Sequence, residues 1–324
     1  SLTGNLHGIT ALNTAVTSDS ESIIYDRIRI DSIGVVDGRI DVNAQGIFYA
    51  TASLEYDDHA LGSGDGIVLS GYTFSWDASD GRFEATPTKT TVQAATVNSF
   101  SSGGEATYDI TAGNINGKSG TIIWDALDVQ SLQFVAYLGA GQYKYKAQMI
   151  YAYDSSLVSS GVMKVEYPGG TAMTESRTTD VNGWAEFVIV GTESGNATQS
   201  GTYKIYGLND AAYGITYRRQ DGSFTMSLLT YQKTSVATGA DSHNVVIKDG
   251  TDTVYTGSLT GSQGFTLRMP GTAQVSFTIE APTPITVAGS DKYYVFESWD
   301  DASTNALRSF TLTTDKTLTA EYHS

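Results

Sequence analysis

The sequence predicts an all-β protein built from tandem β-sandwich modules, with an extension strand at the N-terminus. Short runs rich in Val, Ile, Thr, Tyr and Phe recur along all 324 residues. Gly, Asn or Asp pairs interrupt these runs at intervals of about 8–12 residues, as in β-sandwiches and barrels. Helical periodicity is nearly absent, and an internal repeat of module size is present.

The turn chemistry supports individual hairpins. Asp249-Gly250 separates the strand-like residues 245–248 and 253–255, and Asn182-Gly183 precedes the strand-like residues 184–190. Asp-Gly and Asn-Gly supply the positive φ angles that tight hairpin turns require. Both segments are therefore predicted to be hairpins.

An internal repeat defines the first two thirds of the chain. Residues 23–28 (IIYDRI) return as residues 122–127 (IIWDAL), at an offset of 99. Residues 54–57 (LEYD) parallel 151–154 (YAYD), and residues 107–110 (TYDI) parallel 202–205 (TYKI), at offsets of 97 and 95. A unit of about 100 residues has the size of a seven-stranded immunoglobulin-like sandwich.

The repeat and the composition together predict four segments. An N-terminal arm covers residues 1–22, and the three Ig-like β-sandwich modules cover residues 23–126, 127–233 and 234–324. The first module runs into the second without a Gly/Ser linker, which predicts a stiff junction. The boundary near Lys233 rests on the polar, Gly-containing residues 234–242.

Two resemblances accompany these landmarks. Tyr25-Asp26-Arg27 and Trp124-Asp125, each followed by a strand ending in Tyr-Asp, resemble the tandem Ig-like repeats of large archaeal surface proteins over about 200 residues. The last module carries a motif similar to divergent internalin-type B-repeats, formed by residues 296–299 (FESW), Ser303, Asn305, Arg308, Asp315 and residues 317–322 (TLTAEY). Neither family contributes a catalytic residue, so both resemblances imply a spacer, adhesion or assembly role.

Charge and cysteine usage exclude several function classes. The 35 acidic and 19 basic residues leave a formal charge of −16, and no Lys/Arg cluster is present to bind a polyphosphate, which excludes nucleic acid as a partner. The weakly charged, Ser/Thr/Tyr-rich composition is typical of secreted β-proteins and predicts an extracellular, cell-surface location. The absence of cysteine excludes disulfides and thiolate chemistry. The sequence contains no apolar run of about 18 residues, so no membrane span is predicted in this chain.

The sequence contains no recognisable catalytic motif. The four histidines, His7, His59, His243 and His323, are far apart and show no His-Glu-x-x-His spacing. Nucleophile-elbow, phosphate-loop and dinucleotide motifs are also absent. We therefore predict a protein that is not an enzyme and has no cofactor. A carboxylate pair for glycoside hydrolysis stays open, because 35 acids make some close pair unavoidable.

Two acidic clusters and one sequon are candidate ligand or modification sites. Asp77, Ser79 and Asp80 resemble the first half of a calcium loop, although no acidic residue closes the loop at its twelfth position, and an Asp-Gly hairpin turn is the alternative. The segment Asp57-Asp58-His59 is either a cation site or a polar strand end. Asn196 begins the sequon Asn-Ala-Thr and is a predicted glycosylation site.

The tryptophans have two interpretations, core packing or sugar stacking. Trp124, Trp184 and Trp299 stand beside apolar, strand-like residues and are predicted to be core. Trp76, between Ser75 and Asp77, stays open, and the same two interpretations apply to residues 143–145 (YKY).

The N-terminal arm is the most informative segment for function. Within residues 1–17, one parity holds Leu2, Gly4, Leu6, Gly8, Leu12 and Val16, and the other holds Thr3, Asn5, His7, Asn13 and Thr17. This pattern predicts an extension strand with an assembly interface formed by Leu2, Leu6, Leu12 and Val16. Ordering about 16 residues costs roughly 16–32 kcal/mol. Burying these four side chains returns only roughly 6–12 kcal/mol. Partial docking therefore cannot hold the arm, which either lies in a groove with a strand on each side, as in donor-strand exchange, or is disordered.

These observations favour a structural subunit of an extracellular surface assembly, such as a filament, sheath or surface layer, joined to further copies of itself through its N-terminal strand. The alternative is a glycan-binding or adhesive spacer of a larger secreted protein, with cell-surface glycans as partners. The two differ in whether the arm is inserted into a neighbour. An enzyme ranks third.

Overall fold

A computed structural model of the chain describes residues 2–5, 20–23, 28–99, 110–111, 114–115, 117–170, 172–191 and 200–324. These residues form strands, turns and loops and no helix, which confirms the all-β class. In that part of the chain there is accordingly no helix able to cross a membrane. The chain divides into two compact units, Ser1–Trp124 and Asp125–Ser324.

The first unit contains two larger sheets and two short ladders. A five-stranded sheet has the order β3-β5-β8-β7-β6, a three-stranded sheet has the order β4-β12-β9, and β1-β2 and β10-β11 form two-stranded ladders. The strands are β1 (Leu2–Asn5), β2 (Ser20–Ile23), β3 (Ile28–Val35), β4 (Arg39–Asp41), β5 (Phe48–Leu54), β6 (Ile67–Leu69), β7 (Tyr72–Asp77), β8 (Arg82–Ala85), β9 (Gln93–Asn98), β10 (Ile110–Thr111), β11 (Asn114–Ile115) and β12 (Ser119–Asp125).

Alternating side chains of both larger sheets form the core of the first unit. Trp124, at the end of β12, is fully buried, and its indole Nε1 donates a hydrogen bond to the Ala44 carbonyl over 2.9 Å. The loop at Gly46 lies so close to the indole that a Cβ atom there would stand 2.7 Å from the ring. The remaining buried apolar residues include Ile30, Phe48, Ala50, Leu69, Phe74, Phe83, Val97 and Ile122.

The second unit contains three sheets. Their strand orders are β17-β14-β13-β19, then β16-β15-β18-β20-β28-β26-β25 with β23 also paired to β20, and β22-β21-β24-β27. The strands are β13 (Leu127–Gly139), β14 (Gln142–Tyr151), β15 (Val162–Glu166), β16 (Ala172–Thr178), β17 (Trp184–Val190), β18 (Gly201–Asn209), β19 (Arg218–Gln220), β20 (Gly222–Thr234), β21 (Ser242–Asp249), β22 (Asp252–Thr260), β23 (Phe265–Pro270), β24 (Thr272–Glu280), β25 (Ile285–Thr286), β26 (Tyr293–Trp299), β27 (Leu307–Leu312) and β28 (Lys316–His323).

Strand β20 belongs to both halves of the second unit. Its N-terminal part pairs with β18 through Gly222 and Met226, while its C-terminal part pairs with β23 and β28. One continuous core, from Leu127 to Tyr322, accordingly fills the unit. The sequence places a module boundary near Lys233, whereas the structure places this residue inside β20.

The polar residues after β20 do not form a free linker. Val236 and Ala240 are buried, and the Asp241 backbone N–H donates to the Thr286 carbonyl over 2.7 Å. Composition predicts a linker here because Thr, Ser and Gly dominate the segment. The buried side chains, the backbone hydrogen bond and the bridge between Ala240 and Val287 hold the segment against the core.

The internal repeat corresponds to repeated backbone geometry. Leu54 N–H donates to the His59 carbonyl over 2.8 Å, and Tyr151 N–H donates to the Ser156 carbonyl over 2.9 Å, at the same offset of 97. Asp58 and Ser155 both adopt a left-handed backbone at this turn, with φ of 57° and 59°. The strand–turn motif is therefore present in both units. In the third parallel, residues 107–109 lie outside the described residues, while residues 202–205 lie in β18.

We expect Trp124→Ala to destabilise the first unit by about 3–5 kcal/mol, because the substitution leaves a cavity where the indole packs. The free energy of unfolding, measured by urea titration and circular dichroism, provides the test. Trp76→Ala is the matched control and should cost less, since Trp76 is only partly buried. A loss below about 1 kcal/mol for Trp124→Ala would contradict the prediction.

Candidate functional site

The described residues of the arm form a short hairpin within the chain. β1 pairs antiparallel with β2, from Leu2 opposite Ile23 to Asn5 opposite Ser20. In the described part of the chain these two strands pair only with each other and join neither larger sheet of the first unit. Leu6, Leu12 and Val16 lie outside the described residues, so the assembly interface stays a prediction. Residues 20–23 form β2, the partner of β1. The predicted boundary placed residues 20–22 in the arm and Ile23 in the first module.

Asp77, Ser79 and Asp80 close the turn between β7 and β8. The Asp77 Oδ1 atom accepts hydrogen bonds from the Ser79 backbone N–H over 2.7 Å and from the Ser79 hydroxyl over 2.6 Å. The hydroxyl contact lowers the pKa of Asp77. Asp80 forms an ion pair with Arg82 Nη2 at 2.8 Å, and Gly81 has a φ of 65°. This geometry supports the Asp-Gly hairpin turn, and calcium binding at these residues stays the alternative.

The segment Asp57-Asp58-His59 is a polar strand end in the structure. Asp57 Oδ1 accepts the His59 backbone N–H over 3.0 Å, and Asp58 forms an ion pair with Arg29 at 2.7 Å. Across the described residues, no group of three or more His, Asp or Glu side chains could hold a metal ion. Asn196 lies outside the described residues.

The structure separates the three tryptophans that were predicted as core. Trp124 and Trp299 are buried, and Trp299 Nε1 donates to the Asn305 carbonyl over 2.9 Å. The prediction was wrong for Trp184, which is half-exposed. On β17 the inward positions are Ala185, Phe187 and Ile189, so the alternation of the strand turns Trp184 to the outer face.

Trp76 keeps features of both interpretations. Its ring meets Phe83 edge-on, with centroids 5.2 Å apart, as a core residue would. It is nevertheless partly exposed and lines an open pocket of about 370 Å³ together with Thr73, Ser75, Glu84 and Thr86. Hydroxyl and carboxylate groups beside an indole are suited to a sugar ring, so Trp76 is the position at which the glycan-binding alternative can be tested.

Tyr143 and Tyr145 are core residues. Both are at least 96% buried, and Tyr145 stacks on Phe224 with ring centroids 4.2 Å apart. Burial raises the pKa of both phenols. Lys144, between them, points to the opposite face and pairs with Glu186 at 2.6 Å. The Tyr-rich strand is thus an aromatic packing layer.

The motif that resembles B-repeats also lies in the core. Phe296 packs against Trp299 and Tyr322, with centroids 5.5 Å and 5.9 Å apart. The Arg308 guanidinium stands 5.4 Å from the Trp299 ring centroid and pairs with Asp301 at 2.9 Å. The conspicuous residues of the motif therefore serve packing of the last strands, and the match to that family stays a prediction.

One polar pair was missed by the sequence analysis. Lys233 is 5% exposed, and its Nζ lies 2.6 Å from Nε2 of His243, whose Nδ1 is 3.2 Å from the Asp241 carbonyl. The Asp241 carbonyl can only accept a hydrogen bond, so the ring proton of His243 lies on Nδ1. The unprotonated Nε2 atom therefore accepts a hydrogen bond from the Lys233 amine. Desolvation lowers the pKa of Lys233 to about 8 and also lowers that of His243. The alternation of Leu229, Tyr231 and Lys233 could have revealed the inward lysine.

Comparison with known proteins gives structural neighbours only. No protein family and no curated protein matches the sequence. The chain is similar to the Escherichia coli adhesin FdeC at 14% identity and a TM-score of 0.27, covering 87% of this chain and 98% of FdeC. It is also similar to Yersinia pseudotuberculosis InvD at 12% identity and a TM-score of 0.24, covering 88% and 98%.

A third neighbour is a tetra-tandem repeat from the extending region of a large adhesion protein, at 15% identity and a TM-score of 0.23, with coverage of 92% of this chain and 77% of that one. With scores this low, function has to be argued from the residues of this chain.

We expect stability to rise as the pH increases from about 8 to about 9.5. Lys233 has a folded pKa of about 8 against an ordinary value of 10.5, so the unfolded state binds more protons in this window and folding gains free energy as the pH rises. Above about pH 10 the buried tyrosines act in the opposite direction, because their folded pKa values are raised.

The measurement is the free energy of unfolding at several pH values, compared between the native chain, Lys233→Met and Lys248→Met. Lys233→Met should flatten the slope, because the buried amine is gone. Lys248 is exposed on β21, and its replacement should leave the slope intact. Equal slopes in all three proteins would show that the Lys233 amine does not titrate as described.

Proposed function

We propose that the chain is a structural subunit of an extracellular surface assembly, a filament, sheath or surface layer, and that its N-terminal strand joins one copy to the next. The observation that carries this proposal is the separateness of β1 and β2. Among the described strands they pair with each other and with neither larger sheet of the first unit. β1 and β2 thus complete neither larger sheet of the first unit, and insertion into a neighbour requires β1 to leave its pairing with β2.

The chemistry of the arm supports burial in a neighbour. Residues 1–18 contain no Asp, Glu, Lys or Arg, although 17% of the whole chain is charged. An uncharged strand can lie between two other strands without leaving a buried charge unpaired. Its backbone N–H and C=O groups then gain partners on both edges, which strengthens strand addition. In this arrangement Leu2, Leu6, Leu12 and Val16 face the core of the neighbouring copy.

The rest of the chain fits a passive structural role. The described residues contain no cluster of metal-ligating side chains, and their notable polar groups, such as Asp77 and Asp57, are occupied in turns. The acidic, cysteine-free composition and the resemblance to archaeal surface repeats support an extracellular, cell-surface location for a protein without catalytic function.

The second candidate is an adhesive, glycan-binding spacer, and the open pocket beside Trp76 favours it. In that case the arm stays within its own chain, and Trp76 with the surrounding hydroxyl groups contacts cell-surface polysaccharide. Trp76→Ala would then abolish retention on a polysaccharide column while the circular-dichroism spectrum of the folded protein stays unchanged.

We expect deletion of residues 1–18 to give a folded protein that does not polymerise, because the strand that fills the neighbour is missing. Leu6→Asp should act in the same way, since an unpaired carboxylate in an apolar groove costs several kcal/mol at every interface. Asn5→Asp is the matched control, with the same charge on the polar parity, and should assemble. Sedimentation and negative-stain microscopy of the purified proteins measure the outcome.

Assembly that survives the deletion would rule out exchange of the arm and favour the spacer. Added peptide corresponding to residues 1–18 should bind the truncated protein and not the intact polymer. Equal assembly of Leu6→Asp and Asn5→Asp would show that the apolar parity of the arm is not buried.

A further inference from the structure

The second unit is antiparallel except at the strands through which the chain enters and leaves it. In the described part of this unit, β13 pairs in parallel with β19, and β28 pairs in parallel with β20; the other ladders are antiparallel. β13 is the first strand of the unit and β28 is the last. Both parallel ladders therefore lie where a pulling force along the chain would act.

One short segment makes both of these parallel ladders. β19 and β20 follow each other with only Asp221 between them, and we name residues 218–234 the tie segment. Its start lies beside the first strand, with Leu127 opposite Arg218 and Asp128 opposite Gln220. Its end lies beside the last strand, from Leu229 opposite Lys316 to Thr234 opposite Glu321.

The direction of these strands decides how tension acts on them. In a parallel pair, pulling one strand from its N-terminal end and the other from its C-terminal end slides the strands past each other. All ladder hydrogen bonds then share the load at once. In an antiparallel hairpin pulled from its two free ends, the bonds break one after another. The geometry at both ends of the unit is of the first kind.

Ion pairs strengthen the shorter of the two ladders. The carboxylate of Asp128, whose side chain is 5% exposed, pairs with the Arg219 guanidinium. Arg218 pairs with Glu166 at 2.9 Å and also with Asp221. The Leu127 N–H donates to the Tyr217 carbonyl over 2.8 Å. These contacts attach the start of the tie segment to β13 and β15, where the ladder itself is only two residue pairs long.

The longer ladder is anchored by the core. Leu229, Tyr231 and Lys233 of the tie segment are buried. Leu318, Ala320 and Tyr322 of β28 are buried as well. β20 pairs with β23 from Met226 to Tyr231, and the Asp315 carboxylate accepts the Leu228 N–H over 2.8 Å. Sliding β28 past the tie segment would have to break the ladder and expose apolar side chains together.

We propose that residues 218–234 are a tension-bearing tie, which carries mechanical load from the first strand of the second unit to its last strand. The proposal rests on the structural role proposed above, in which the chain is a link in a surface assembly. In this role, force passes from β13 through the tie segment to β28, and the two parallel ladders with their ion pairs and buried side chains resist it.

The experiment is single-molecule force spectroscopy of the full chain with engineered cysteine handles, which attach uniquely because the chain has no cysteine. Handles at Ser223→Cys and Ser324→Cys load the ladder between β20 and β28 in shear. Handles at Thr234→Cys and Ser324→Cys pull on the same ladder from one end and peel it. We expect the rupture force to be several-fold higher in shear, and equal forces would overturn the proposal.

A second comparison tests the shorter ladder. With handles at Thr121→Cys and Ser324→Cys, Arg219→Gln should lower the force of the first rupture of the second unit, because the pair with Asp128 is lost. Arg177→Gln is the matched control, since it removes an exposed pair with Glu175 on β16, outside the tie segment. A first rupture that is equally strong in both variants would contradict a load path through Arg219.

These measurements use purified single chains and do not depend on assembly. A protein that fails to polymerise through its arm can still show the difference between shear and peeling, so failure of the proposed function is distinguishable from failure of the tie.

Discussion

The second unit depends on one constraint, the hydrogen-bonding demand of the long strand β20. Each backbone N–H and C=O group in the interior must find a partner, and β20 finds its partners on three different strands. It pairs with β18 near its start and with β23 and β28 towards its end. Two sandwich-like halves thereby share a strand and a continuous core, so neither half is complete without the other.

Buried polar groups accompany this shared architecture. Lys233 reaches the interior because it has the same parity as Leu229 and Tyr231 on β20. The resulting desolvation lowers its pKa. Asp128 is buried beside Arg219, whose side chain is 47% exposed, so removal of the arginine would leave an uncompensated buried carboxylate. A slipped register would bury the Asp128 carboxylate without its partner, so this ion pair penalises slippage.

Local patterns predicted much of the molecule correctly. The turn at Gly81 and the strand ends at Asp58 and Ser155 follow from short-range chemistry, because Gly, Asp and Ser positions determine where φ becomes positive. The core role of Trp124 and Trp299 follows from their apolar neighbours. The prediction for Trp184 was wrong because apolar neighbours do not determine which face of a strand a residue occupies. Ala185 and Phe187 face inward, so Trp184 lies on the outer face of β17.

By itself, the sequence determined the all-β class, the hairpin at Asp249-Gly250 and the repeated strand–turn motif, because these depend on residues close together in the chain. The hairpin predicted at Asn182-Gly183 was wrong, because β16 pairs with β15 whereas β17 pairs with β14 in a different sheet. Only the tertiary structure decided that β20 is shared, that the first and last strands of the second unit run parallel to one tie segment, and that Lys233 meets His243. Strand edges are chemically alike along their backbone, so the choice of partner is made by the packing of distant side chains, which no local pattern records.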